Sequence, residues 1–193
     1  MRNLCVFCGS AAGARPAYAA SAHALADSLA RRGMGLVYGG GSVGIMGILA
    51  DACLARGVPV EGVIPRHLDE REIGHKSLTR LHVVESMHER KALMAELSDG
   101  FVALPGGIGT MEELFEVYTW GQLGLHPKPV ALLDVEGYYR PLVQFLDHAT
   151  TEGFLRPEHR GFLLSGSEID PLLDAMTAWR PPKVAKWMEI GQT

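Results

Sequence analysis

Short runs of apolar residues, each followed by a stretch with helical spacing, constrain this chain more than any other feature. The runs are Leu4–Phe7, Leu36–Tyr38, Val60–Ile64, Leu81–Val84, Phe101–Leu104 and Val130–Leu133, with Phe162–Leu164 a weaker seventh. Several are apolar on consecutive positions instead of alternating. That pattern belongs to parallel strands covered on both faces, since a strand with one wet face alternates. Between them lie predicted helices at Pro16–Arg32, Val43–Arg56, Met87–Leu97, Glu112–Leu123, Tyr138–Glu152 and Ile169–Trp179. Gly33, Gly57, Gly124 and Gly153 each follow a helical pattern, where a left-handed residue ends a helix cheaply. The expected fold is α/β: a Rossmann-like, doubly wound, mostly parallel sheet flanked by helices. The 193 residues suit one such domain over 1–180, with an aperiodic C-terminal tail over 181–193.

Hydrophobic residues make up 47% of the chain and charged ones 21%, a globular balance. The net charge of −4 gives no reason to expect nucleic acid. The chain runs almost directly into Leu4–Phe7 without a leader, and no apolar stretch is long enough to span a bilayer. A cytoplasmic protein without membrane partners is therefore expected. Three cysteines fit a reducing compartment. Cys5 and Cys8 have redox-motif spacing but lie in or beside a strand run, so they read as buried thiols. No second cysteine pair completes a zinc site, and His67, His75, His82 and His88 are scattered over different elements. No metal site is expected.

The segment Pro105-Gly106-Gly107-Ile108-Gly109-Thr110-Met111-Glu112-Glu113 joins a strand run to a helical pattern. A glycine-rich turn there exposes backbone N–H groups at a helix start, a natural seat for phosphate. Glu112 and Glu113 at the same place suggest a base beside a phosphorylated ligand. Thr110-x-x-Glu113 also has capping-box spacing, which would make Glu113 a structural cap. A second loop, Gly39-Gly40-Gly41-Ser42-Val43-Gly44-Ile45-Met46-Gly47, contains G-x-G-x-x-G, with Glu61 22 positions after Gly39. That resembles a dinucleotide fingerprint but follows the second strand instead of the first. Neither loop supplies the Gly-Lys-Ser/Thr of a P-loop. Both loops would open at the carboxyl edge of the sheet, one gripping phosphate and the other, through Gly41 and Ser42, lining the sugar. A mononucleotide is the economical ligand. Ser86-x-x-Glu89 has capping-box spacing, and Arg90 and Lys91 follow early in that helix, where cations oppose the dipole unless an anion offsets them.

Taken together, Gly39–Gly47, Met87-His88-Glu89-Arg90-Lys91 and Pro105–Glu113 resemble the Lonely guy (LOG) family, whose members are cytokinin riboside 5′-monophosphate phosphoribohydrolases once widely mislabelled lysine decarboxylases. Cys5–Ser10 and Thr119–Gly124 look like the family too, so the likeness runs from about Leu4 to the region of Trp179. Ile108 stands where the family often has an aromatic residue. The resemblance implies cleavage of the N-glycosidic bond of a nucleoside 5′-monophosphate, AMP or N6-prenylated AMP, to free base and ribose 5-phosphate, without a cofactor. It implies Arg90 and Glu113 as the catalytic pair. Glu72, Lys91, Gly107, Ile108, Gly109, Thr110, Met111, Glu112 and Thr119 would contact substrate. It also implies a homodimer with the site near the subunit interface.

The chemistry is consistent with those residue types. Glycosidic cleavage builds positive charge on the sugar ring, which a carboxylate stabilises while it orients or deprotonates water. Arginine stays protonated, so Arg90 suits electrostatic work and not proton donation. Two other functions compete: a non-catalytic nucleotide or cofactor carrier using the same loops, and a nicotinamide-dependent oxidoreductase built on Gly39–Gly44. Nothing marks a Schiff-base lysine with the partners that pyridoxal chemistry needs.

Overall fold

The protein is described here from a computed structural model, for residues 1–69 and 74–182. Its strands are β1 (Asn3–Phe7), β2 (Gly35–Tyr38), β3 (Val60–Pro65), β4 (Arg80–Val84), β5 (Gly100–Ala103), β6 (Val130–Leu133) and β7 (Leu163–Gly166). Its helices are α1 (Pro16–Arg32), α2 (Gly44–Leu54), α3 (Arg66–Asp69), α4 (Met87–Glu96), α5 (Ile108–Gln122), α6 (Arg140–Thr151), α7 (Pro157–Arg160) and α8 (Ile169–Ala178). The seven strands form one sheet in the order β4-β3-β2-β1-β5-β6-β7, and each neighbouring pair is parallel.

The consecutive apolar runs are explained by burial on both faces. In central β1, Leu4 and Val6 pack with Leu25, Leu29, Leu49 and Leu172 on one side. Cys5 and Phe7 face the opposite way, toward Met94, Leu114, Val117 and Leu146. Helices α1, α2 and α8 thus cover one face and α4, α5 and α6 the other. Each fully buried leucine or phenylalanine contributes on the order of 1.5–3 kcal/mol. Edge strand β4 is only partly covered, with Arg80 and Val83 exposed. Gly33, Gly57, Gly124 and Gly153 all adopt positive φ where their helices stop.

Three local expectations need correction. The fifth helix begins at Ile108, four residues before Glu112, because Gly107 supplies the extended N-cap and Gly109 and Thr110 already lie in the first turn. Glycine's poor helix propensity reads as loop in sequence, yet tertiary contacts override so weak a preference. The sixth helix starts at Arg140, after a 3₁₀ turn over Val135–Gly137. The last strand begins at Leu163. Cys5, Cys8 and Cys53 are all buried free thiols, and burial raises each above its ordinary pKa. Residues 183–193, most of the expected tail, lie outside the described residues.

From β1 the sheet grows outward to β4, and α4 then carries the chain back so that β5 lies on the other side of β1. Helix α1 after β1 and helix α5 after β5 cover opposite faces of the sheet, which marks the crevice where doubly wound sheets bind ligands.

Candidate active site

The floor of that crevice is a contact between two glycine-containing loops. Gly9, after β1, donates its N–H to Pro105 O at 3.2 Å. A Cβ on Gly9 would lie 3.2 Å from Gly106 Cα, and one on Gly106 would meet Thr110 Oγ1 at 2.1 Å. Those two glycines are required by close backbone approach. Gly107 and Gly109 are different, since a Cβ on either would meet no protein atom within 4 Å. Gly107 caps α5 with no side-chain hydrogen bond. The helix's first N–H with a backbone acceptor is that of Met111, which donates to Gly107 O at 3.2 Å. Ahead of it the N–H groups of Ile108, Gly109 and Thr110 are the orphan donors of a helix start. The capping box expected at Thr110-x-x-Glu113 does not form, because Thr110 is buried inside the helix and Gly107 is its cap.

Glu113 lies one turn into α5 and meets Arg90 of α4, with Arg90 Nη2 3.2 Å from Glu113 Oε1. Both side chains are only 11% exposed. The guanidinium is held from behind: Arg90 Nε donates to Val63 O at 3.1 Å, and Nη2 reaches Gly39 O at 3.5 Å. Glycine is needed at 39, because a Cβ there would fall 2.0 Å from Arg90 Nη2. Burial pushes the Glu113 carboxyl above its ordinary pKa; Arg90 pulls it down and Glu112 adds to the rise. A carboxylate so placed is a stronger base than one in water.

Beside this pair Lys91 Nζ contacts Glu112 Oε1 at 2.6 Å and Glu116 Oε1 at 3.0 Å. Burial alone would lower the Lys91 pKa, but the bonds to Glu112 and Glu116 outweigh it and the net shift is upward. The second oxygen of Glu116 is buried and has no partner. The α4 start carries these cations at little cost to the helix. Ser86 Oγ accepts from Glu89 N–H at 3.1 Å, while Glu89 Oε2 accepts from Glu85 N–H, one residue earlier than in a standard capping box. The anions that offset Arg90 and Lys91 are thus, in part, the protein's own carboxylates.

Residues 46–176 match the family model described as "Possible lysine decarboxylase". The chain is 49% identical over 180 residues to the cytokinin riboside 5′-monophosphate phosphoribohydrolase LOG of Oryza sativa subsp. japonica, covering 93% of this chain and 74% of that protein. To an Arabidopsis thaliana protein of the same described activity it is 47% identical, covering 93% of this chain and 79% of the relative. The chain belongs to the LOG family. Among solved structures, the molybdenum cofactor binding protein of Rippkaea orientalis superimposes with a TM-score of 0.68 at 18% identity, over 92% of this chain and 96% of that one. The Moco carrier protein of Chlamydomonas reinhardtii gives 0.67 at 19% identity, over the same shares. Likenesses so distant in sequence speak to the fold alone.

In this LOG chain the other motif residues divide. Gly41 forms an isolated antiparallel bridge with Gly74, and Gly40 O accepts from His75 N–H at 2.9 Å. His75 Nε2 in turn lies 2.9 Å from Asp51 Oδ1, which ties the second glycine loop to α2. Ser42 is exposed at the loop's rim. Glu61, the acid of the fingerprint pattern, lies 2.7 Å from His82 Nε2. Met111 is half-buried against the core and Ile108 is 85% exposed. Thr119 is exposed, and its hydroxyl donates to Phe115 O at 2.7 Å, one turn back along α5. Glu72 lies outside the described residues. Among the described residues no group of three or more His, Cys, Asp or Glu is placed to hold a metal, and no helix is long and apolar enough to cross a membrane.

Several participants are absent from the sequence reading. Glu116 is one helical turn beyond Glu112, a spacing that could have pointed to it. Tyr138 and Tyr139 bond the carbonyls of Gly106 and Leu104, each at 2.6 Å, from a turn more than thirty residues away. Only their adjacency in sequence could have hinted at a shared role.

Proposed function

We propose that this chain hydrolyses the N-glycosidic bond of N6-substituted adenosine 5′-monophosphates, and of AMP itself, to free base and ribose 5-phosphate. The observation that carries the proposal is the buried Arg90–Glu113 pair beside the start of α5, whose cap Gly107 makes no side-chain hydrogen bond, at the reversal point of the sheet. The 5′-phosphate would sit against the N–H groups from Gly107 to Thr110, where the helix dipole favours an anion and glycine keeps the backbone approachable. Lys91 would bind the same anionic end in exchange for part of its contact with Glu112. Gly41 and Ser42 would line the sugar side, with Met111 and Thr119 at the margins of the substrate and Glu72 as a further contact.

The bond from C1′ to the base nitrogen breaks as positive charge develops on the ribose ring. Glu113 stabilises that charge and takes a proton from the water that adds to C1′. The departing base takes up a proton from solvent, and Glu113 returns its own, so water is the sole co-reactant. Arg90 keeps Glu113 in place and offers its fixed charge to ribose hydroxyls or the leaving base. No cofactor or metal enters.

A single catalytic unit over residues 1–180, a homodimer without nucleic-acid partners and a cytoplasmic location complete the proposal. Two features support the hydrolase reading: relatives at 47–49% identity carry this activity in their names, and Arg90 and Glu113, the pair that the motif resemblance implies, meet at 3.2 Å. Purified protein incubated with AMP and with isopentenyladenosine monophosphate should release base and ribose 5-phosphate in equal amounts. Glu113→Gln should retain ligand affinity and lose turnover. Tight nucleotide binding with no product from either substrate would favour a carrier instead.

A further inference from the structure

The three carbonyls leading into α5 are each taken by a protein donor. Tyr139 Oη donates to Leu104 O at 2.6 Å, Gly9 N–H to Pro105 O at 3.2 Å, and Tyr138 Oη to Gly106 O at 2.6 Å. In a planar trans peptide the C=O and the following N–H point in opposite directions. Holding Pro105 O and Gly106 O therefore turns the N–H groups of Gly106 and Gly107 to the far side of the loop. They extend the row of orphan donors at Ile108, Gly109 and Thr110.

The turn that delivers the tyrosines is built at a conformational cost. Glu136 adopts φ 51° and ψ 32°, the left-handed region that non-glycine residues rarely enter, and Gly137 follows at φ 76°. Such a conformation persists where surroundings dictate it, and here several do. Asp134 Oδ1 accepts from Tyr139 N–H at 2.6 Å, and Arg15 Nη1 pairs with Glu136 Oε2 at 3.1 Å. The Tyr138 ring is set edge-on against Tyr18 and Tyr139, with centroids 5.7 and 5.0 Å away.

The two tyrosines differ in what accounts for them. Tyr139 is 1% exposed and belongs to the core, so packing alone justifies an aromatic ring there. Tyr138 is 40% exposed, and its ring contacts would be met equally by phenylalanine. Among the described residues its hydroxyl has one bond, and that bond orients the peptide at the mouth of α5.

We infer that Tyr138 is a positioning residue for phosphate: its hydroxyl fixes the Gly106–Gly107 peptide so that the Gly107 N–H faces the 5′-phosphate of the nucleotide. The inference rests on the phosphoribohydrolase proposal for its substrate and adds a specific contributor to affinity. Water is a poorer substitute, because it does not hold the peptide plane in one orientation.

The test is Tyr138→Phe, compared with wild type in steady-state hydrolysis of AMP and in calorimetric binding of ribose 5-phosphate. KM should rise about three- to ten-fold, as one hydrogen bond to a bound anion is misaligned, with kcat within about two-fold. The Kd for ribose 5-phosphate should weaken by the same factor, while adenosine, which lacks the phosphate, binds as before and the melting temperature is unchanged. Equal ribose 5-phosphate affinity in the two proteins would overturn the assignment. So would a loss of kcat at constant KM, or a fall in melting temperature accompanied by weaker adenosine binding. A wild-type chain that binds ribose 5-phosphate but releases no base from either nucleotide would sink the hydrolase proposal alone, and the ratio of Kd values would still decide Tyr138. A wild-type chain with no affinity for ribose 5-phosphate would remove both.

Discussion

Gly39→Ala separates the geometry of the charged pair from the stability of the fold. The added methyl would lie 2.0 Å from Arg90 Nη2 and 3.1 Å from Cζ, whereas ordinary contact begins near 3.4 Å. Nη2 must therefore retreat by about 1.4 Å. Gly39 does not have positive φ, so alanine brings no backbone strain of its own. The obstructed atom is the end of a flexible side chain, and the guanidinium can swing where a backbone could not. The displacement is nonetheless large beside the 3.2 Å separation of Arg90 from Glu113, and it also disturbs the 3.5 Å contact with Gly39 O. A misplacement of about 1 Å in a reacting constellation costs on the order of 10²-fold in rate. Loss of the buried pair would cost up to about 3–5 kcal/mol if Arg90 had nowhere to go. Because it can tilt toward the open crevice, a loss of about 1–2 kcal/mol is expected, the usual range for a point substitution. The expected outcome is a folded protein whose base release from AMP falls about 100-fold. Initial rates and a urea titration read the two quantities separately. Wild-type turnover in Gly39→Ala would refute the claim that Arg90 must stand at its present position for catalysis.

Other expectations follow from the same contacts. Glu113→Gln should lower kcat by about 10²–10⁴-fold, the range for a lost general base. In the wild type the base must be ionised, and its pKa is raised above the carboxyl reference of 4.5, so kcat/KM should fall as pH drops through that elevated value. A pH–rate profile whose acid limb lies at or below 4.5 would contradict the burial argument. Tyr139→Phe leaves the buried Leu104 carbonyl without its donor and should cost about 1–3 kcal/mol of stability, measured by urea unfolding. Gly33→Ala and Gly44→Ala form a graded pair. Both positions have positive φ, but a Cβ at 33 meets nothing within 4 Å, whereas one at 44 meets the Ser10 carbonyl carbon at 2.3 Å. The first should cost about 1 kcal/mol and the second clearly more, since backbone must move to admit the methyl.

Much of the fold was legible because burial leaves a local imprint. Phe101–Ala103 reads as a two-sided strand since every residue of β5 is buried, and Gly33 reads as a stop since its φ of 62° suits glycine. The start of α5 was misplaced for an equally local reason: Gly109 and Thr110 look like loop, and nothing nearby in sequence reports that Thr110 packs against Gly106. The capping box went astray with it. At the site, the glycine loop and the carboxylates are visible as a motif; the three glycines favour a base over a cap, and family resemblance points to the pairing of Arg90 with Glu113.

By itself the sequence determined the periodicity of strands and helices, the places where the chain turns and the chemical groups on hand near each turn, because those depend on residues close along the backbone. The order β2-β1-β5, the docking of α4 against α5, the clearance that Gly39 leaves for Arg90 and the reach of Tyr138 to Gly106 were decided by tertiary structure. Each joins residues that are remote along the chain, and their proximity comes from packing both faces of the sheet at once, which no local pattern records.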